Sequence, residues 1–254
     1  MKAIKCEMCG GNQLVKADGY YTCQSCGTKY TTEEAQKLIV ETHIDISGST
    51  VKIDHNAETE TGLQYAREAR MRKDYAGALR YYRQVALYAH GNWEVSFYIP
   101  FCEAVTDMTN VELSQSKILS AYSGTFHDLH VEFDNTFDRA RLEQNLTCIV
   151  NDVIYAEQLF ATTQKKEWGL FIDKEKHQQA AAYNDQVMRG NSRILYYLAF
   201  NIYDHFGYLN KYTVPLIDAA YKIMKSIGIL VFDPMREEIA RGKELKKLAK
   251  KSNI

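Results

Sequence analysis

Proline is scarce. Only Pro100, Pro215 and Pro234 occur in 254 residues, so long stretches lack the residue that most effectively breaks a helix. Long apolar runs are missing too: residues 194–200 and 227–232 fall far short of the roughly 20 residues a bilayer-spanning helix needs. The start, Met1-Lys2-Ala3-Ile4-Lys5, has no apolar core of the kind an export signal carries. The expected compartment is therefore a reducing cytosol, without membrane association. There is no surplus charge of either sign, because the net charge is −1. Residues 1–56 set six lysines against seven acidic residues, which gives no electrostatic footprint for a phosphate backbone and disfavours a nucleic-acid partner. Cations concentrate only over residues 236–251, where Glu237, Glu238 and Glu244 dilute them; this reads as a solvated last helix. A glycine-rich phosphate loop, a Gly-x-Ser-x-Gly elbow and a His-Glu-x-x-His motif are all absent, which argues against an enzyme.

What is present begins with cysteine. Cys6-Glu7-Met8-Cys9 and Cys23-Gln24-Ser25-Cys26 are matched pairs, each followed by a glycine, Gly10 or Gly27. Four thiolates from two short knuckles make a closed tetrahedral zinc site with no open position for water or substrate. The pattern thus predicts one structural Zn2+ held by Cys6, Cys9, Cys23 and Cys26, and no metal catalysis there. Leu14-Val15-Lys16 and Tyr20-Tyr21-Thr22 flank Asp18-Gly19 as the arms of a hairpin, so that a strand delivers Cys23. A disulfide framework would need an oxidising compartment, and a thioredoxin-like pair would need a βαβ setting that is lacking around either knuckle. Over residues 4–30 these features resemble the zinc-ribbon family. A ribbon this small cannot bury enough apolar surface to fold alone; structural zinc supplies on the order of 10–16 kcal/mol of apparent binding free energy, which becomes folding free energy. Cys102 and Cys148 lie in apolar helical contexts and read as small core residues.

After the ribbon, Thr31-Thr32-Glu33-Glu34 reads as a capping box opening a short helix to about Val40. A polar stretch with Ser47-Gly48-Ser49 and the alternating Val51-Lys52-Ile53-Asp54 then reads as a linker with short strands. From Ala57 the periodicity becomes helical. Residues 61–90 predict two helices broken at Lys73-Asp74-Tyr75, with Ala66 and Ala69 packed on Ala78, Tyr82 and Val85. The run Lys73-Asp74-Tyr75-Ala76-Gly77-Ala78-Leu79-Arg80-Tyr81-Tyr82, with Gly91-Asn92-Trp93 after it, resembles a tetratricopeptide hairpin, although Gly62, Ala69 and His90 depart from that pattern. Further helices are expected over residues 93–107, 131–165, 174–188, 192–206 and 214–227, with a last one opened by Asp233-Pro234. In the 131–165 helix, Leu142, Leu146, Ile149, Val153, Ala156 and Phe160 form an a/d stripe, read as the core of a bundle or, alternatively, as a homodimer seam.

The order of ribbon, short strands, Lys-Asp-Tyr-Ala-Gly-Ala hairpin and Gly-Asn-Trp-Glu-Val-Ser-Phe-Tyr resembles a group of bacterial proteins in which a zinc ribbon precedes a tetratricopeptide-like hairpin and an all-helical tail. The expected fold is mainly α: a β zinc ribbon over 1–30, a short helix and linker over 31–56, a tetratricopeptide-like hairpin plus following helix over 57–107, and a helical bundle over 108–254. The expected function is a non-enzymatic adaptor whose helical surface, aromatic-rich around Tyr81, Tyr82, Trp93, Phe97 and Tyr98, meets a protein partner, with several of these rings expected in the core and the sequence not selecting which. One alternative is a nucleic-acid-binding regulator using the ribbon and the last helix, with Lys246 and Lys250 as contacts. A second is a metal-dependent enzyme using His127 and His130, although the segment from Gly124 reads as a polar helix junction. His43, His55, His90, His177 and His205 are scattered, and the sequon Asn145-Leu146-Thr147 falls inside the helical stripe.

Overall fold

A computed structural model describes residues 6, 8–9, 14–17, 19–32, 34, 56–168, 174–228 and 234–252. The chain divides into two compact units, Met1–Asp54 and His55–Ile254. In the first, β1 (Leu14–Ala17), β2 (Tyr20–Cys23) and β3 (Lys29–Tyr30) form an antiparallel sheet in that order. Leu14 pairs with Cys23 and Ala17 with Tyr20, so the hairpin turns where Asp18-Gly19 places it, and Gly19 takes the positive φ of 83° that the turn requires. The third strand was not legible in the sequence, because two residues are too short to show alternation. The capping box is present and reciprocal: the Thr31 amide donates to Glu34 Oε2 at 2.8 Å, and the Glu34 amide donates to Thr31 Oγ1 at 3.2 Å. The continuation of that helix and the strands expected over 51–54 lie outside the described residues.

The second unit is all helical among its described residues. It contains α1 (Asn56–Met71), α2 (Tyr75–Val85), α3 (Trp93–Thr106), α4 (Val111–Thr136), α5 (Arg139–Trp168), α6 (Lys174–Phe206), α7 (Val214–Ile227) and α8 (Arg236–Ser252), with a π turn (Leu209–Thr213) before α7. Side-chain caps set several starts. Asp74 accepts from the Gly77 amide, Asn92 from Glu94 and Val95, and Asn110 from Leu113. The break expected at Lys73-Asp74-Tyr75 is observed, with Lys73 in the left-handed region at φ 62°. Helices α1 to α4 each pack on the next; α4 then lies on α6, which carries α5 and α7, and α8 rests on α7. One continuous apolar core runs from Leu63 to Leu245. The residues Leu142, Leu146, Ile149, Val153, Ala156 and Phe160 are all buried in it, as a bundle requires.

Several helix boundaries differ from expectation; one does so for a local reason and another for a tertiary one. The helix expected over 131–165 is two helices, because the chain turns at Phe137, a non-glycine residue at φ 52°, and Asp138 caps α5 by accepting from the Arg141 amide at 3.0 Å. Neither glycine nor proline marks that turn. Conversely, residues 174–206 form one helix, since Gly190 does not end it. A Cβ at Gly190 would collide with the Gln115 side chain, so this glycine serves a close approach between α4 and α6. There Gln115 Nε2 donates to the Val187 carbonyl at 2.8 Å and to Asn191 Oδ1 at 2.7 Å, while Asn191 Nδ2 donates to the Glu157 carbonyl at 3.2 Å. Gln115 and Asn191 are buried, so this network satisfies groups that would otherwise be costly to bury.

Two helical glycines should therefore respond with opposite sign. Gly124, in α4, has open space where a Cβ would stand, so Gly124→Ala should stabilise by about 0.5–1 kcal/mol. Gly190→Ala should destabilise by about 1–3 kcal/mol by displacing the Gln115 amide. Urea denaturation of the two variants checks this; two shifts of the same sign would contradict the reading.

Candidate metal centre

The ribbon brings its cysteines together from both ends of the hairpin. Cys6 and Cys9 come from the first knuckle; Cys23 ends β2 and Cys26 follows in the next turn. The Gly27 amide donates to the Cys23 carbonyl and the Cys23 amide to the Thr28 carbonyl, both at 2.9 Å, and Gly27 adopts φ 78°. Gly10 lies outside the described residues. The four sulfurs all lie within 4.8 Å of one another, with Cys6–Cys26 and Cys9–Cys23 Sγ separations of 3.6 Å. Sulfurs about 2.3 Å from one central ion in a tetrahedron stand about 3.8 Å apart, so this spacing fits zinc. It is far too long for a disulfide, whose sulfurs lie about 2.05 Å apart.

The surroundings favour thiolates. Tyr30 Oη lies 3.0 Å from Cys6 Sγ, and Thr28 Oγ1 lies 3.1 Å from Cys26 Sγ. The Tyr30 hydroxyl is the main cause drawing the Cys6 thiol from its ordinary 9.0 down to about 6; backbone groups of Cys9 and Met8 assist, against the opposing effect of burial. Hydrogen bonds from Thr28 pull Cys26 down as well. Cys6, Cys23 and Tyr30 are the buried centre of this unit, with Leu14 and Tyr21 packed against them. So small an apolar centre leaves the metal as the principal staple. Sequence reading did not find Tyr30 and Thr28, whose only signal is their place just beyond the second knuckle. The donor set fits one structural zinc held by Cys6, Cys9, Cys23 and Cys26.

The remaining candidates fare differently. Among the described residues, no other set of three or more histidine, cysteine or acidic side chains is grouped to hold a metal. His127 and His130 lie within the unbroken α4 and not at a junction, because Gly124 continues the helix. His127 is exposed, while His130 packs against His205 at 5.6 Å between ring centroids and pairs with Asp134 at 3.3 Å. Cys102 is buried, and burial pushes its thiol up to about 12; Cys148 is only half-buried, and neither forms a disulfide. Of the five aromatic residues around the expected recognition surface, Tyr82, Trp93, Phe97 and Tyr98 are core, which decides what residue order left open. Tyr82 stacks on Tyr98 at 5.2 Å between ring centroids, with Phe97 edge-on and Trp93 tilted against Tyr98, and these rings seal α2 against α3. Tyr81 is exposed instead, 5.6 Å from Tyr65 between ring centroids. With Tyr88 and Val85 these rings line an open groove of about 450 Å3 between α1 and α2. Tyr65 and Tyr88 were missed because the helical period assigned them no special face. No described helix is long and apolar enough to cross a membrane.

Metal loading should thus be one zinc per chain by elemental analysis, and Cys23→Ser should abolish it. Chelation should unfold the ribbon while leaving the far-ultraviolet helical signal nearly intact. Tyr30→Phe should raise the pH at which zinc is lost. Removing the hydroxyl raises the Cys6 thiol, so protons compete with the metal at higher pH. An unchanged release pH in a metal-dye titration would contradict that role.

Comparison with known families agrees with this geometry: residues 1–32 match the family of the A2-L zinc ribbon domain. No curated protein and no solved structure matches the chain. The N-terminal segment is thus similar to that zinc ribbon domain in sequence and carries a zinc-ribbon cysteine site in its geometry, ahead of a unit that is helical among its described residues.

Proposed function

We propose that this protein is a zinc-stabilised, non-enzymatic adaptor that binds a protein partner through its helical unit. The observation that carries the reading is the tyrosine groove between α1 and α2. Tyr65, Tyr81 and Tyr88 are 50%, 37% and 47% exposed, three large rings lining one groove. Tyrosine offers a rigid, amphipathic contact at low entropic cost and is enriched where interfaces concentrate their binding energy. At its base α1 and α2 approach closely at Gly62, where a Cβ would stand 2.5 Å from Val85 Cγ2, so the groove is floored by that contact. The hairpin with its three-residue turn also supports the tetratricopeptide-like reading of this part.

The non-enzymatic part of the proposal rests on the chemistry of the buried charges. Arg67 holds Glu94 through two nitrogens, and Arg70 holds Asp152 at 2.8 Å with Tyr98 also donating to that carboxylate at 3.0 Å. These pairs tie α1 to α3 and α5, which is a packing role. The buried stripe of α5 leaves self-association to other faces. A nucleic-acid role for the ribbon is a second reading, favoured by its match to a zinc-ribbon family, and it predicts binding that weakens steeply with salt.

Affinity purification with the full chain and with Tyr65→Ser/Tyr81→Ser tests the adaptor reading. Partner recovery should fall at least about fivefold, as for loss of more than 1 kcal/mol at a binding hot spot, while the melting temperature stays nearly constant. Undiminished recovery, or a turnover found in an unbiased substrate screen, would overturn it.

A further inference from the structure

A second groove, of about 320 Å3, lies between α7 and α8. Its floor is Tyr196, Ile217, Tyr221 and Ile239; its rim is Lys243, Lys246, Lys247 and Lys250. The lysines recur at i, i+3, i+4 and i+7, so they stand along one face of α8 over two turns, a length of about 10 Å. Gly242 makes this possible. A Cβ there would lie 2.9 Å from Tyr196 Cε1 and 3.1 Å from Ile217 Cγ2, so its absence lets α8 settle onto the floor with the lysines above it.

Most of the positive charge along this groove is left without a carboxylate partner, whereas several cations of the helical unit are paired. Arg67, Arg70, Arg83, Lys117 and Arg193 each hold a carboxylate. Here Lys246 pairs with Asp218, but Lys243, Lys247 and Lys250 have no carboxylate among the described residues within 4.0 Å. Like charges at these spacings on a helix repel, at a small cost to stability. An occupant bearing negative charge would relieve that repulsion.

We propose that this groove docks an acidic amphipathic helix of a protein partner. A helix laid along α8 presents carboxylates at the same two-turn spacing as the lysines, and apolar side chains between them against the half-buried Tyr221 and the lysine stems. A charged rim around an apolar centre is the ordinary anatomy of a protein interface. The exposed lysines leave the groove open along its length, so a small anion would not be enclosed. Nucleic acid fits less well. The groove has no arginine for bidentate phosphate contacts, Tyr196 is buried, and Tyr221 is a single half-buried ring, short of a stacking platform for successive bases. This surface is distinct from the tyrosine groove, so the adaptor reading does not depend on it.

Fluorescence anisotropy with the full-length protein at low ionic strength tests the proposal. The probe is a labelled helical peptide with leucine along one face and glutamate at i, i+4 and i+7 beside it. Controls are the same peptide with glutamine for glutamate, and a single-stranded oligonucleotide of equal charge. The glutamate peptide should bind, weaken as salt rises, and lose about tenfold in affinity with Lys247→Glu/Lys250→Glu. Tyr65→Ser/Tyr81→Ser should leave its affinity unchanged, which separates this site from the other groove. Absence of binding, equal binding of the glutamine peptide, indifference to the charge reversal, or tighter binding of the oligonucleotide would overturn it.

Discussion

Close approach between helices at glycine is the constraint on which the helical unit depends. Gly62 admits Val85 between α1 and α2, Gly190 admits the Gln115 amide between α4 and α6, and Gly242 admits Tyr196 and Ile217 beneath α8. Protein interiors are packed too densely for a methyl group to be absorbed without movement. Each of these contacts also has a second consequence. The first shapes the tyrosine groove, the second seats a buried amide network, and the third holds four lysines over an apolar floor. Elements far apart in sequence are thus registered by residues that contribute no side chain.

The ribbon obeys a different rule. Its buried centre is Cys6, Cys23 and Tyr30, so apolar burial alone cannot order it. Metal binding replaces the missing core, and the Tyr30 and Thr28 hydroxyls lower the cost of holding thiolates close together. The same closed coordination that gives stability removes any position for a reacting ligand. The metal thus contributes shape to this unit.

Much of this was readable from residue order where the signal was local. The cysteine knuckles, the Asp18-Gly19 hairpin, the Thr31–Glu34 capping box and the break after Met71 each rest on a few neighbouring residues. The boundary at Phe137 was not readable, because a bulky residue in the left-handed region follows no composition rule. The break expected between residues 188 and 192 is absent: Gly190 lies inside one helix and answers to Gln115, 75 positions away. The a/d stripe of α5 was visible, but whether another copy or the chain itself covers it is a tertiary matter.

The sequence by itself determined the zinc ligands, the mainly α class and most helix starts, since thiolate spacing and side-chain caps act over one or two turns. Only the tertiary structure decided which aromatic residues are buried. Tyr81 and Tyr82 are adjacent and chemically identical, yet one lines a groove and the other is core, because a step of about 100° around α2 separates their faces. It alone likewise gathered Tyr196, Ile217 and Lys247 into one groove. Charge and apolar floor come from three helices, and no pattern within any one of them encodes their meeting.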